Sequence, residues 1–437
     1  MANSIWREIL KKKQFRYSIL LMMFYAGFVV SMDAYKIGTL APFWSSELGM
    51  TADQIGKILA STNLGLIPML LFAGILSDWW GAKKVTFTTV LFGSIISGLM
   101  AFVVTFDEMY YRNILVGMCL GAIVPGALRL ISQWFPAQDV GGASAIVYSG
   151  MMASGILGAP IAIFIANHFG WQFAFLFIAV VGIPCAIWIL FGAAEHPEDK
   201  KGISSEELSY IQAGRVVEAK PTFREFVSAV SSNKSVIIIV FAVGIPTAAT
   251  FLFQWIWTAT MMHAGINADL VALVMPIFLA LPALYGFIHG TVSSRIFKGN
   301  LRLMMVFGGL LAAIGTFAAA FWTNAPWWLW GFLIIVPGAL TNYFLNSSAP
   351  AYYLGTVGPR FVGTLVGANT FIQGVFSWYL LNESGKWVDT TATGLAQTQL
   401  IWIVAGCVYL VPVVLVWFAK KVIVRGQVKP EDEGLAP

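Results

Sequence analysis

The sequence predicts an all-α integral membrane protein, with twelve transmembrane helices arranged as two six-helix bundles. Composition is the first reason. Of 437 residues, 58% are hydrophobic and 11% charged, against about 25% charged in an average soluble domain. The distribution of charge is the second. Residues 140–194 and 303–359 contain no Asp, Glu, Lys or Arg, and stretches of that length suit pairs of crossings at about 20 apolar residues each. The third is periodicity. Only helices and closed barrels satisfy every backbone polar group in lipid. Barrel strands alternate apolar and polar residues, and residues 85–106 run without that alternation.

Taken in order, the predicted spans are 17–41, 54–77, 85–106, 110–134, 140–166, 171–193, 235–262, 268–292, 302–322, 327–349, 361–384 and 399–419. Basic residues orient them. Residues 7–16, the loops after the second, eighth and tenth spans, the central loop and the tail place 21 of the 26 Lys and Arg on one face. The positive-inside rule makes that face cytoplasmic, with both termini on it. The basic N-terminus has no small-residue cleavage site after its apolar run, so it reads as a retained first helix rather than a signal peptide. The polar stretch 195–234 then separates an N-terminal bundle (1–194) from a C-terminal bundle and tail (235–437). Within it, Ser204-Ser205-Glu206-Glu207 predicts a short capped amphipathic helix on the membrane surface.

The three cysteines are widely spaced in apolar segments, which excludes a disulfide framework or metal motif and suits small hydrophobes. No His-Glu-x-x-His or nucleophile–base cluster points to an intramembrane enzyme. No metal, cofactor or nucleic-acid partner is expected. Trp327, Trp328 and Trp330 read as an interfacial belt.

Five basic residues fall outside the cytoplasmic set: Lys36, Lys57, Arg112, Arg129 and Lys386. Lys57, Arg112 and Lys386 lie near outer helix ends, where long side chains snorkel. Lys36 and Arg129 lie deeper, where a charge costs about 2.5–3.5 kcal/mol and faces a cavity or a partner. Asp33 and Lys36 share a helix face. Two readings follow: an ion pair that only neutralises itself, or a coupling site in which Asp33 exchanges a proton while Lys36 meets a substrate anion. Arg129 belongs to a stripe of Ala122, Pro125, Gly126 and Gln133. It either grips a carboxylate with its guanidinium fork or clamps the inner end of the helix. The second half offers polar stripes instead: Thr247, Thr250, Gln254 and Thr258 beside Trp257, then Asn342 and Asn346, then Asn369, Gln373 and Ser377. These suit substrate hydroxyls or carboxylates, or interhelical hydrogen bonds.

The halves echo each other. Gly74-Ile-Leu-Ser-Asp78-Trp-Trp-Gly-Ala-Lys83-Lys84 recurs weakly as Gly290-Thr-Val-Ser-Ser-Arg295-Ile-Phe-Lys298, offset by 216 residues, the mark of a repeat-built secondary transporter. That loop resembles the loop-2/3 motif of the major facilitator superfamily. Gly117–Pro136, Gly170-Trp171-Gln-Phe-Ala-Phe and His196-Pro197 with Ile203–Ile211 resemble its anion:cation symporter family over essentially the whole chain. The resemblance implies proton- or sodium-driven uptake of organic anions such as sugar acids by alternating access. Substrate contacts are then expected at Lys36, Arg129, Tyr35, Gln254, Trp257, Asn342, Asn346, Asn369 and Gln373, coupling at Asp33, and gating at Asp78, Lys83 and Lys84. The setting implied is a bacterial inner membrane, with lipid and a small organic anion as partners and a monomeric chain. Two departures stand out: Asp33 lacks the following basic residue of the family's first helix, and Asn113 and Leu120 occupy its usual Arg and Glu positions in the fourth. An exchanger or uncoupled facilitator is therefore the alternative, and a non-transporting receptor a remote one.

Overall fold

The computed structural model describes residues 14–213, 225, 231, 233–263, 265–267, 270–271, 292–357, 359–389, 391–392 and 394–422. Long helices occupy eleven of the twelve predicted spans; the eighth, 268–292, lies largely outside the described residues. The helices of the first half are α1 (Phe15–Thr39), α2 (Ala41–Glu47), α3 (Ala52–Trp80), α4 (Ala82–Met100), α5 (Phe106–Trp134), α6 (Ala137–Phe169), α7 (Trp171–Gly192) and α8 (Ser205–Ala213). Those of the second are α9 (Lys234–His263), α10 (Leu301–Phe321), α11 (Trp327–Val357), α12 (Pro359–Ser384), α13 (Gln399–Tyr409) and α14 (Val411–Leu415). Among the described residues, eight segments are long and apolar enough to cross a membrane by length and composition alone. The protein is a multi-pass membrane protein.

Breaks between helices follow local chemistry. The first span stops at Thr39, and α2 restarts with Pro42 in its first turn, where a missing N–H costs nothing. α3 and α4 are separated by the single residue Gly81 at φ +100, a conformation that favours glycine. The last span bends at Leu410, two residues before Pro412.

The chain forms two compact units. The first comprises Met1–Met50 and Ser61–Glu218, the second Thr51–Ala60 and Ala219–Pro437. In the first, α1 packs on α6, and α4 packs on α5 and α7. In lipid no hydrophobic force drives these pairings, so close backbone approach must supply dispersion. Glycines allow it. A Cβ at Gly117 would lie 1.9 Å from the Thr62 carbonyl oxygen, and one at Gly150 would lie 2.3 Å from that of Phe24. Met22, Met23 and Ala26 of α1, Ile123, Ala127 and Ile131 of α5, and Ala186 and Ile189 of α7 meet in the resulting core. In the second unit α9 packs on α12 and α10 on α11. There Gly385 brings its backbone against Ala52, whose carbonyl oxygen would lie 2.2 Å from an added Cβ.

One aromatic expectation is corrected. Trp330 is fully buried, donates to the Ala319 carbonyl at 3.0 Å and meets Trp402 edge-on. It is a core residue of the second unit, while Trp328 remains exposed. Trp327, Trp328 and Trp330 fall at different angles around one helix, so their clustering in the sequence does not place them on one face.

The central segment is tied to the first unit. Glu195, just beyond α7, accepts from the backbone N–H groups of Ala82 and Lys83 at 2.7 and 2.9 Å, capping α4. Glu207 of α8 accepts from Phe15 and Arg16 at 3.2 and 3.0 Å, capping α1. Both carboxylates meet a helix N-terminus, whose unpaired N–H groups and dipole favour negative charge. Tyr210 adds a hydrogen bond to Asp139 at 2.8 Å, and the Arg16 guanidinium lies over its ring.

Candidate functional site

The first unit buries a charged cluster on α1. Lys36 and Asp33, one helical turn apart, are 1% and 4% exposed and form an ion pair. The ammonium also donates to Ser97 Oγ on α4 and lies 4.4 Å from the centroid of the Phe175 ring on α7. Ser97 in turn donates to the Phe175 carbonyl at 3.4 Å. Three helices therefore converge on one cation. A buried charge persists only when paired and hydrogen-bonded, and here a carboxylate, a hydroxyl and an aromatic face share the task. Ser97 and Phe175 are not readable from sequence, because nothing in their spacing links them to Lys36.

Arg129 is placed differently. It is exposed near the end of α5, five residues before Trp134. The small residues of its stripe turn elsewhere: Ala122 packs with Ala73 and Val85, and a Cβ at Gly126 would lie 2.8 Å from Thr86 Oγ1. Gln133 is buried and donates to Glu195 at 3.4 Å. Asn113 is buried and donates to Ser61 at 3.0 Å and Thr62 at 2.7 Å. It joins α5 to α3 as a neutral polar link.

In the second unit, Asn369 of α12 accepts from the Tyr353 hydroxyl of α11 at 2.7 Å, with both residues buried. Asn346 donates to Asn342 one turn back, leaving Asn346 exposed and Asn342 half-buried. Gln373 is half-buried. Thr247 and Thr250 donate to carbonyls of their own helix, as membrane hydroxyls do when no other acceptor is nearer. The side chains of Tyr35, Asp78, Gln254, Trp257 and Thr258 lie outside the described residues. Lys83 is half-buried and Lys84 exposed at the start of α4.

Among the described residues no group of three or more His, Cys, Asp or Glu could hold a metal ion. Cys185 is buried as expected of a small hydrophobe, whereas Cys407 is exposed.

These features define a multi-pass helical membrane protein with a buried ion pair in its first helix. The Major Facilitator Superfamily model matches residues 21–378, and the chain belongs to that superfamily. It is 26% identical to the hexuronate transporter of Bacillus subtilis over 66% of this chain and 67% of that one. It is 27% identical to the probable galactarate/D-glucarate transporter GarP of Escherichia coli, over 68% and 72%. Among solved structures, a D-xylose-proton symporter superposes with a TM-score of 0.73 at 14% identity, covering 93% of this chain and 98% of that chain; at that identity the likeness concerns the fold.

Proposed function

We propose that this protein is a secondary transporter that carries small organic anions of the sugar-acid class, with a proton as the coupled ion and alternating access as the mechanism. The observation that carries the reading is the buried Asp33–Lys36 pair, set beside relatives named for hexuronate and for galactarate and D-glucarate.

The chemistry follows from charge balance. A substrate carboxylate that takes the Lys36 ammonium displaces Asp33 from its cation. A carboxylate left buried without a partner is costly and is neutralised by taking a proton. Anion and proton thus load together, and release of the anion lets Asp33 shed its proton and re-pair with Lys36. The setting proposed is a bacterial inner membrane with both termini cytoplasmic, which the 21 basic residues of one face support.

Proteoliposomes loaded at alkaline pH and diluted into acid medium test both claims. Labelled glucuronate or glucarate should accumulate above its external concentration, and collapsing the pH gradient should abolish the accumulation. In Asp33→Asn, exchange of internal for external substrate should continue while gradient-driven accumulation disappears. Accumulation by Asp33→Asn equal to wild type removes the proton role. Uptake restricted to cationic or neutral solutes removes the anion assignment. Anion exchange without coupling is the second reading, favoured by Asn113 and Leu120 at the family's Arg and Glu positions. It predicts that wild type exchanges but never accumulates.

A further inference from the structure

We propose that a cleft at the α3–α4 turn, beside the chain leaving α7, binds the phosphate headgroup of an anionic phospholipid. The cleft measures about 620 Å³, and its lining includes Trp80, Gly81, Phe191, Ala193 and Ala194. Its size falls within the roughly 300–1,000 Å³ of ordinary ligand pockets. Four lysines line it, Lys83, Lys84, Lys200 and Lys201, against two acidic residues, Glu195 and Asp199.

The carboxylates do not balance the lysines. Glu195 acts on Lys83 while accepting from the backbone N–H groups of Ala82 and Lys83 and from Gln133, and with Asp199 it offsets only two of the four lysines. None of the four lysines is among the salt bridges formed by the described residues. Lys200 is held instead by the Gly192 carbonyl and the Phe15 ring, which fixes its charge at the cleft without neutralising it. A site with surplus positive charge, two of whose lysines, Lys83 and Lys200, are half-buried, calls for an anion.

The surroundings choose the kind of anion. Of the residues lining the cleft, Phe191 is 78% exposed and Trp80 is also exposed, and Trp79, next to Trp80 in the chain, is 83% exposed. Large aromatics exposed at the end of a membrane helix sit at headgroup level, apolar body toward the acyl chains. A soluble phosphate would gain nothing from them, whereas a phospholipid places its phosphate among the lysines and its glycerol and first methylenes against the rings. Basic pockets between membrane helices recognise anionic headgroups in this way. The occupant inferred is therefore a phosphatidylglycerol-type or diphosphatidylglycerol-type lipid.

The test uses the full chain in a non-ionic detergent, with native mass spectrometry to count retained lipid and thermal unfolding to read stabilisation. Phosphatidylglycerol, diphosphatidylglycerol, phosphatidylcholine and inorganic phosphate are added separately. The anionic lipids should be retained and should raise the unfolding temperature; phosphatidylcholine and inorganic phosphate should do neither. Lys84→Gln with Lys201→Gln, both exposed positions, should weaken anionic-lipid binding about tenfold or more. The paired Arg variants should restore it, and Lys420→Gln should leave it unchanged. Undiminished retention in the paired Gln variant overturns the site. So does an equal loss with Lys420→Gln, which would mean general surface charge. Equal stabilisation by inorganic phosphate overturns the lipid assignment.

Discussion

Removing either member of the Asp33–Lys36 pair should destabilise the protein far more than removing both. The two groups are almost wholly buried, and breaking a buried pair from one side costs about 3–5 kcal/mol because a charge is left uncompensated. Asp33→Asn keeps the shape and one acceptor oxygen, and Lys36 retains Ser97 and the Phe175 ring. The expected cost is therefore at the lower end, about 3 kcal/mol. Lys36→Met keeps the length but leaves the carboxylate and the Ser97 hydroxyl without their cation, so about 4 kcal/mol is expected. In the double variant no charge remains, and replacing a buried pair by neutral groups is often nearly neutral. The double should sit within about 1 kcal/mol of wild type, giving a coupling of several kcal/mol. Unfolding free energies from SDS titration in mixed micelles provide the cycle. Independent sites add within about 0.3–0.5 kcal/mol. A double variant that loses the sum of the singles would show that the pair makes no mutual contribution, and the coupling mechanism built on it would fall as well.

Three further outcomes follow from the ends of the helices. Glu207→Ala should destabilise by about 1.5–3 kcal/mol, since hydrogen bonds to a charged group are worth that much and two N–H groups of α1 lose their acceptor; limited proteolysis should then cut near α8 faster than in wild type, and an unchanged cutting rate would count against the clasp. Gly81→Ala places a residue at φ +100 with its Cβ 2.8 Å from Glu195 Oε2, so a loss above about 1–2 kcal/mol should appear in thermal unfolding, and a neutral effect would mean that the turn is not fixed as described. Asp389 accepts from the Thr391 hydroxyl and N–H and from the Ala392 N–H, which hold its carboxyl below the usual range. A depressed folded value stabilises at neutral pH and is lost as pH falls below about 3.9. The stability gap between wild type and Asp389→Asn should thus be full near pH 6 and close in acid; a gap that widens in acid would reverse the sign.

How much of this could be read from the sequence depends on the range of the interaction. Spans are local: each needs only its own apolar run, and the eleven that fall within the described residues keep their order. Asp33 and Lys36 pair within one turn, so spacing alone brought them together. Ser204 was legible as a cap, and its hydroxyl does accept from the Glu207 N–H at 3.1 Å. The Glu207 carboxylate, by contrast, reaches Phe15 and Arg16, nearly two hundred positions away in the chain, and no pattern announces such a partner. Ser97 escaped for the same reason. Its neighbours Ser94 and Thr86 look identical in sequence but bond only their own helix.

The five basic residues outside the set of 21 that the sequence groups on one face show what the structure adds to the anion argument. Lys57, Arg112 and Lys386 each pair with an acidic residue one turn before them, Asp53, Glu108 and Glu383. Pairing therefore does not distinguish Lys36, because Asp33 stands in the same relation to it. Burial does. The Lys57–Asp53 pair is 40% and 35% exposed, and exposed pairs of this kind contribute about 0–1 kcal/mol. Water can replace either partner at little cost, so an arriving anion would gain little there. Lys36 is only 1% exposed, so bulk solvent cannot stand in for its partner, and only another anion can take the place of Asp33 without a large penalty. With Arg129 exposed, Lys36 is, among the described residues of the first unit, the buried cation on which selective anion recognition can act. The exposed pairs then provide the control: Lys57→Gln should leave substrate selectivity unchanged where Lys36→Gln abolishes it.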